Sequence, residues 1–201
     1  MKDLTRTMQL KLFEAATPTT PKLMNKAWLQ GLDTSDDVFH ILKLQDDVFD
    51  NSKKLVQWLE FSDMYKKQMT QSTSWLDELN LVLKTKKPNQ QETQFGLLFQ
   101  ELKKQEGMET IAGKMESQLF ERWMKMDSMT PDKVGAMLGG SATKNWKRIF
   151  ERLEITDEKY IFLKAYTEAY AADRGSNVLK IVEKLFAAGK PVAALEKAIK
   201  V

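Results

Sequence analysis

The stretch KMESQLFERWMKMDSMTPDKV, residues 114–134, decides the fold. Starting just upstream of it, Met108, Ile111, Met115, Leu119, Trp123 and Met126 recur at spacings of three and four, which places them on one face of a helix. Glu109, Lys114, Glu116, Glu121 and Arg122 fall largely off that face. Thr130-Pro131-Asp132 then offers a hydroxyl N-cap, a proline at the first helical position and an acid at the positive end of the next helix. The stretch is predicted to be a helix, a corner and a second helix, with Trp123 near the join.

The same order occurs earlier in the chain. WLQGLDTSDDVFHIL, from Trp28, aligns with WMKMDSMTPDKVGAML, from Trp123, once one residue is inserted before the turn. Thr34 then pairs with Thr130, Asp36 with Asp132, Val38 with Val134 and Leu42 with Leu138. Downstream, Trp58, Phe61 and Tyr65 in WLEFSDMY have the same offsets as Leu163, Tyr166 and Tyr170 in LKAYTEAY. Sixteen positions separate Leu42 from Trp58 and 25 separate Leu138 from Leu163, so the second copy carries about nine extra residues around GGSATKNWK. Helix connections tolerate such insertions. Each copy is predicted to pack its Trp helix against its aromatic-Tyr helix.

Outside the repeat the chain reads as helical throughout. Leu, Met, Lys, Glu, Gln and Ala dominate and no β-branched run alternates with period two, so the fold class is all-α. Breaks at 17–21 (TPTTP), 86–91 (KKPNQQ), 139–144 (GGSATK) and 174–176 (RGS) leave about ten to twelve short helices. Gly189 and Pro191 separate the last two. The implied division is a lead-in at 1–20, a first unit at 21–72, linking helices at 73–107, a second unit at 108–172 and C-terminal helices at 173–201.

Composition narrows the chemistry. The 201 residues are 42% hydrophobic, enough for a core, and contain no cysteine, which removes disulfides, thiolate metal sites and thiol catalysis together. Neither a signal peptide nor an apolar run long enough to span a bilayer is visible, so no membrane contact is expected. Net charge is +3, and residues 176–201 alone carry five lysines against two glutamates. The remainder is near neutral, without the dense basic stripe of a nucleic-acid surface.

No nucleophile elbow, HExxH, CxxC or Walker pattern occurs. His40, the sole histidine, sits in VFHILKL and reads as a half-buried or surface helix position. GGSATK fails the phosphate-loop spacing, and DDVFDNS at 46–52 lacks the glycine and terminal glutamate of a calcium loop. No catalytic residue, cofactor or metal is expected. Trp28, Phe61, Trp123 and Tyr166 read as core, each stabilising by roughly 2–3 kcal/mol through burial. Trp75 and Trp146 lie outside the repeat; they are candidate partner anchors or, on the competing reading, residues packed across a junction. Ser72 or Ser74 is the expected cap before Trp75, and KTKKP at 84–88 reads as a solvated helix end.

The order of Trp helix, Pro-capped corner and Tyr helix resembles the WY fold of secreted RXLR effectors from oomycete plant pathogens. GLLFQELKKQEGMETIAGKMESQLFERWM (96–124) resembles the Leu-rich lead-in of the tandem LWY variety. On that resemblance, which covers about residues 20–172, Trp123 and Tyr166 are the signature pair of the second unit and Trp28 and Phe61 of the first. Phe61 departs from the usual tyrosine by one hydroxyl. Neither an RXLR tetrapeptide nor a dEER element is present, as expected of a mature effector domain alone. The resemblance implies a non-enzymatic virulence protein, secreted by the pathogen and acting in the host cytoplasm or nucleus. Its implied partners are host plant proteins of immune regulation, and it is implied to act as a monomer or homodimer. A helical-repeat adaptor unrelated to virulence and an enzyme using carboxylates or lysines in a helical cleft are the competing expectations.

Overall fold

A computed structural model of the chain describes residues 2–15, 20–46, 48–49, 51–69, 74–87, 91–126, 129–139 and 145–200. Every regular element among them is an α-helix, so the chain is all-α as expected. They fall into two compact units.

The first unit holds residues 1–90 and 102–115. Its helices are α1 (Lys2–Glu14), α2 (Thr20–Gln30), α3 (Ser35–Ile41), α4 (Ser52–Gln68) and α5 (Leu76–Lys84). The start of α3 is a reciprocal cap: the Thr34 hydroxyl accepts from the Asp37 backbone N–H at 3.1 Å while Asp37 accepts from the Thr34 N–H at 3.1 Å. Asn51 caps α4 by accepting from the Lys54 N–H at 3.1 Å. Helices α2 and α3 pack on α4, burying Trp28, Phe39, Leu55, Trp58 and Phe61.

Both α2 and α3 end in a left-handed residue that is not glycine, Leu32 at φ 61° and Lys43 at φ 57°. In each case the next N–H reaches back to the last turn, Asp33 to the Trp28 carbonyl at 3.0 Å and Leu44 to the Phe39 carbonyl at 3.1 Å. These closures satisfy carbonyls that a helix end leaves without partners.

The second unit holds residues 91–101 and 116–201. Helices α6 (Glu92–Lys103) and α7 (Glu109–Met124) each contribute residues to both units; α8 (Pro131–Leu138), α9 (Trp146–Phe150), α10 (Glu158–Asp173), α11 (Ser176–Ala187) and α12 (Pro191–Ile199) belong to the second. Thr130 caps α8, its hydroxyl accepting from the Lys133 N–H at 3.4 Å with Pro131 in the first turn, as read from the sequence. Pro191 likewise stands in the first turn of α12, which has no side-chain cap. Around α10 pack α8, α11 and α12.

The sequence repeat has a geometric counterpart inside each unit. Trp28 meets Phe61 edge-on, ring centroids 5.7 Å apart at 88°, and Trp123 meets Tyr166 edge-on at 5.3 Å and 88°. Each indole N–H donates to a side chain of an earlier helix, Trp28 to Gln9 at 3.2 Å and Trp123 to Glu92 at 2.8 Å. One residue beyond each ring partner, a buried hydroxyl folds back onto its own helix: Ser62 donates to the Trp58 carbonyl at 2.8 Å and Thr167 to the Leu163 carbonyl at 2.6 Å. Such back-bonding satisfies a hydroxyl that has no access to water.

Candidate partner-binding surface

The four signature aromatics are all enclosed. Trp28 is 2% exposed and Phe61, Trp123 and Tyr166 are 0% exposed, so none of them can meet a partner. Tyr166 donates its hydroxyl to the Met129 carbonyl at 2.5 Å, tying α10 to the residue just before the Thr130 cap. Burial pushes the Tyr166 hydroxyl well above the ordinary phenol range, and the neighbouring Tyr170 adds to the shift while Arg174 opposes it.

Trp75 and Trp146, the two tryptophans read as possible partner anchors, are buried as well, at 2% and 8% exposure. In the first unit the ammonium groups of Lys66 and Lys114 stand over the Trp75 ring, 5.8 and 5.5 Å from its centroid. Lys66 is held by Glu78 at 2.9 Å and donates to the Ser74 carbonyl at 2.9 Å, while Lys114 is held by Asp63 at 3.1 Å. Ser74 also accepts from the Leu76 N–H at 3.2 Å, but the N-cap of α5 is Trp75 and no side chain caps the helix, so Ser74 is not the cap expected from the sequence; Ser72 lies outside the described residues.

In the second unit Trp146 rests on Gly135. A Cβ placed on that glycine would sit 2.4 Å from the indole. Gly135 occupies the repeat position that Phe39 fills in the first unit, where Phe39 packs against Trp58 at 4.9 Å. The inserted segment thus returns the aromatic bulk that α8 lacks. Both tryptophans are packing residues of their own unit.

Other expectations fall out simply. His40 is 46% exposed at its side chain, 3.8 Å from the Asp36 carboxylate one turn earlier. Residues 140–144 of GGSATK, and 47 and 50 of DDVFDNS, lie outside the described residues. Among the described residues no group of three or more His, Cys, Asp or Glu is placed to hold a metal ion. Among the described residues no helix is long and apolar enough to cross a membrane.

Each unit also carries a concavity. The first unit has a cleft of about 640 Å³ between the end of α1 and the starts of α2 and α4, lined by Lys22, Lys53, Lys54, Asn51, Gln57 and Glu60 among others. Much of its polarity is satisfied internally: Lys54 pairs with Glu14 at 3.1 Å, and the Gln57 amide donates to the Pro21 carbonyl at 3.0 Å and to Asn25.

The second unit has a smaller groove, about 310 Å³, floored by Leu138, Trp146, Ile149, Phe150 and Leu153. Asp157 and Lys159 complete its lining with one acid and one base. Ile149 is 42% exposed on its rim, and Ile155, in the turn that follows, is 72% exposed. The sequence signal for this groove was the extra length after α8; what it lacked was any local mark separating the inward Trp146 from the outward Ile149 three residues on.

Comparison with known proteins bears on this geometry. Over 204 aligned residues the chain is 28% identical to the RxLR effector protein PexRD18 of Phytophthora infestans. The match takes in 100% of this chain and 41% of that protein, so the chain spans about two fifths of the length of the curated relative it matches. No family model matches the chain, and no solved structure matches it. The chain is thus similar from end to end to an oomycete RxLR effector protein.

Proposed function

We propose that the chain is a non-enzymatic virulence effector, secreted by an oomycete and delivered into plant cells, where it binds host proteins and suppresses immunity. The observation that carries this reading is the whole-length likeness to an RxLR effector. The two units are, on the same reading, WY-type units in tandem. The equivalent edge-on pairs Trp28–Phe61 and Trp123–Tyr166 support that assignment. With its large aromatics enclosed, the protein works through its outer surface: the aromatic core holds the shape, and the residues left free by the repeat make contact.

The test is transient production of the chain in leaf tissue, with affinity capture and a measured immune output such as the flagellin-triggered oxidative burst. A specific host protein retained with the chain and a reduced burst are expected. An unchanged burst, together with no plant protein above background, refutes the proposal.

A further inference from the structure

We propose that the outer surface of α11 and α12 in the second unit docks an acidic amphipathic helix of another protein. This rests on the host-binding reading and specifies the surface and the chemistry of the partner.

The charge of the chain is concentrated in these two helices. Residues 176–201 carry five lysines against two glutamates, a surplus of three that equals the net charge of the whole chain. Pairing sharpens it. Glu196 is taken up by Lys147 of α9 at 3.1 Å and by Lys200 at 3.8 Å. Among the described residues Lys180, Lys184, Lys190 and Lys197 have no acidic partner, and Glu183 is the one unengaged carboxylate of the two helices. Both helices pack on α10, which adds no cation-free acidic patch: Glu168 is held by Lys164 at 2.7 Å, Asp173 lies 3.9 Å from Arg174, and Asp157 and Glu158 stand at its start beside Lys159.

Helical geometry groups the free cations. In α11, Val178, Val182 and Phe186 face inward, which turns the exposed Lys180 and Lys184 outward on adjacent turns. In α12, Lys190 and Lys197 are seven positions apart and so share one side. Glu196 lies on the other side, where it meets Lys147 of α9, so the two lysines take the side toward α11, on which α12 also packs. Ile181, 41% exposed, and the exposed Ala187, Ala188 and Ala193 stand among the four lysines.

These features select the occupant. A bilayer surface needs bulky side chains to insert, and among the described residues Ile181 is the one large apolar side chain well exposed in α11 and α12. A nucleic acid needs a denser basic row or aromatic faces for its bases, and neither helix exposes an aromatic ring. An acidic helix fits both chemistries. Carboxylates one turn apart match Lys180 and Lys184, also one turn apart, while an apolar stripe covers Ile181 and the alanines, whose small side chains permit close approach.

The test selects random phage-displayed peptides on the intact chain. Enriched peptides are measured against Lys180→Glu/Lys184→Glu, Lys190→Glu/Lys197→Glu and a control, Lys26→Glu/Lys43→Glu, which makes the same charge change at exposed positions of the first unit. Each variant is checked for helicity and melting temperature, and should one surface pair unfold the chain, the other gives the reading. Enriched peptides are expected to be acidic, to gain helicity when bound and to lose affinity with added salt. They should weaken at least about tenfold on each folded surface variant and hold their affinity on the control.

Enrichment of basic or uncharged peptides, no enrichment, binding in an extended form, indifference to a folded surface variant, or equal weakening on the control overturns the proposal. So does tighter binding to phosphatidylserine-containing vesicles or to duplex DNA that the surface variants abolish, or a homodimer that they dissolve, because the occupant is then a membrane, a nucleic acid or a second copy. If leaf tissue yields one host protein captured equally by the intact chain and by both surface variants, the assignment of this surface fails while host binding stands. If nothing is captured, host binding fails and the peptide selection still judges the surface.

Discussion

Tyr166 and Phe61 occupy matching places in the two units and differ by one hydroxyl. That hydroxyl donates to the Met129 carbonyl in a fully enclosed setting, so Tyr166→Phe loses the bond and leaves a buried acceptor behind. A loss of about 1–3 kcal/mol is expected, read as a lowered urea midpoint with an unchanged slope. Leu32 should respond in the opposite direction. It holds φ 61° at 74% exposure, a backbone region that side chains disfavour, and nothing buried depends on its side chain. Leu32→Gly is expected to stabilise by about 1 kcal/mol in the same assay.

At the level of elements, the corner helices α3 and α8 show how two copies of one plan fill the same space differently. Phe39 belongs to α3 itself, whereas α8 carries Gly135 and receives Trp146 from the inserted segment. Gly135→Ala would drive a methyl to 2.4 Å from a ring backed by its own unit, and the expected overpacking cost is about 1–3 kcal/mol in thermal unfolding. Gly96→Ala in α6 meets Phe162 even more closely, at 2.1 Å, and the same measurement should show a loss of at least that size. These contacts also explain what could be read from the sequence. Thr34, Thr130, Pro131 and Pro191 announce their corners because capping is chemistry among residues three or four apart. The Trp28–Phe61 and Trp123–Tyr166 pairs were legible because the repeat supplied a second example of each spacing. Trp75 and Trp146 gave no such local sign. Their burial depends on Lys66, Lys114 and Gly135, residues from other helices whose approach no periodicity encodes. The groove beside Ile149 escaped for the same reason, since its volume is a property of three segments at once.

For the molecule as a whole, charge sets a pH range. Burial pushes the Asp63 carboxyl up, but its bonds to Lys67 and Lys114 outweigh this and hold it below the usual range; Lys147 and Lys200 lower Glu196 likewise. A carboxyl lowered by folding contributes stability above its unfolded value, about 3.9 for Asp and 4.3 for Glu, and loses it as pH falls through the lower folded value. Glu60 acts in the opposite sense, raised by burial with Lys22 partly opposing. Tyr166 and Tyr160 are raised by burial, so their contribution is present below about pH 10 and fades as pH rises further. The melting temperature is expected to be highest near neutrality and to fall at both extremes. Asp63→Asn should shrink the acid fall and Tyr166→Phe the alkaline one. The Phe39 and Gly135 arrangement carries a consequence at this scale too. Chains with two similar modules risk assembling pieces of one into the other as they refold. Here α8 placed on α4 would leave a hole where Phe39 belongs, and α3 placed on α10 would collide with Trp146. Each wrong pairing carries its own steric or cavity penalty, so the divergence that disguises the duplication also guards it against misassembly.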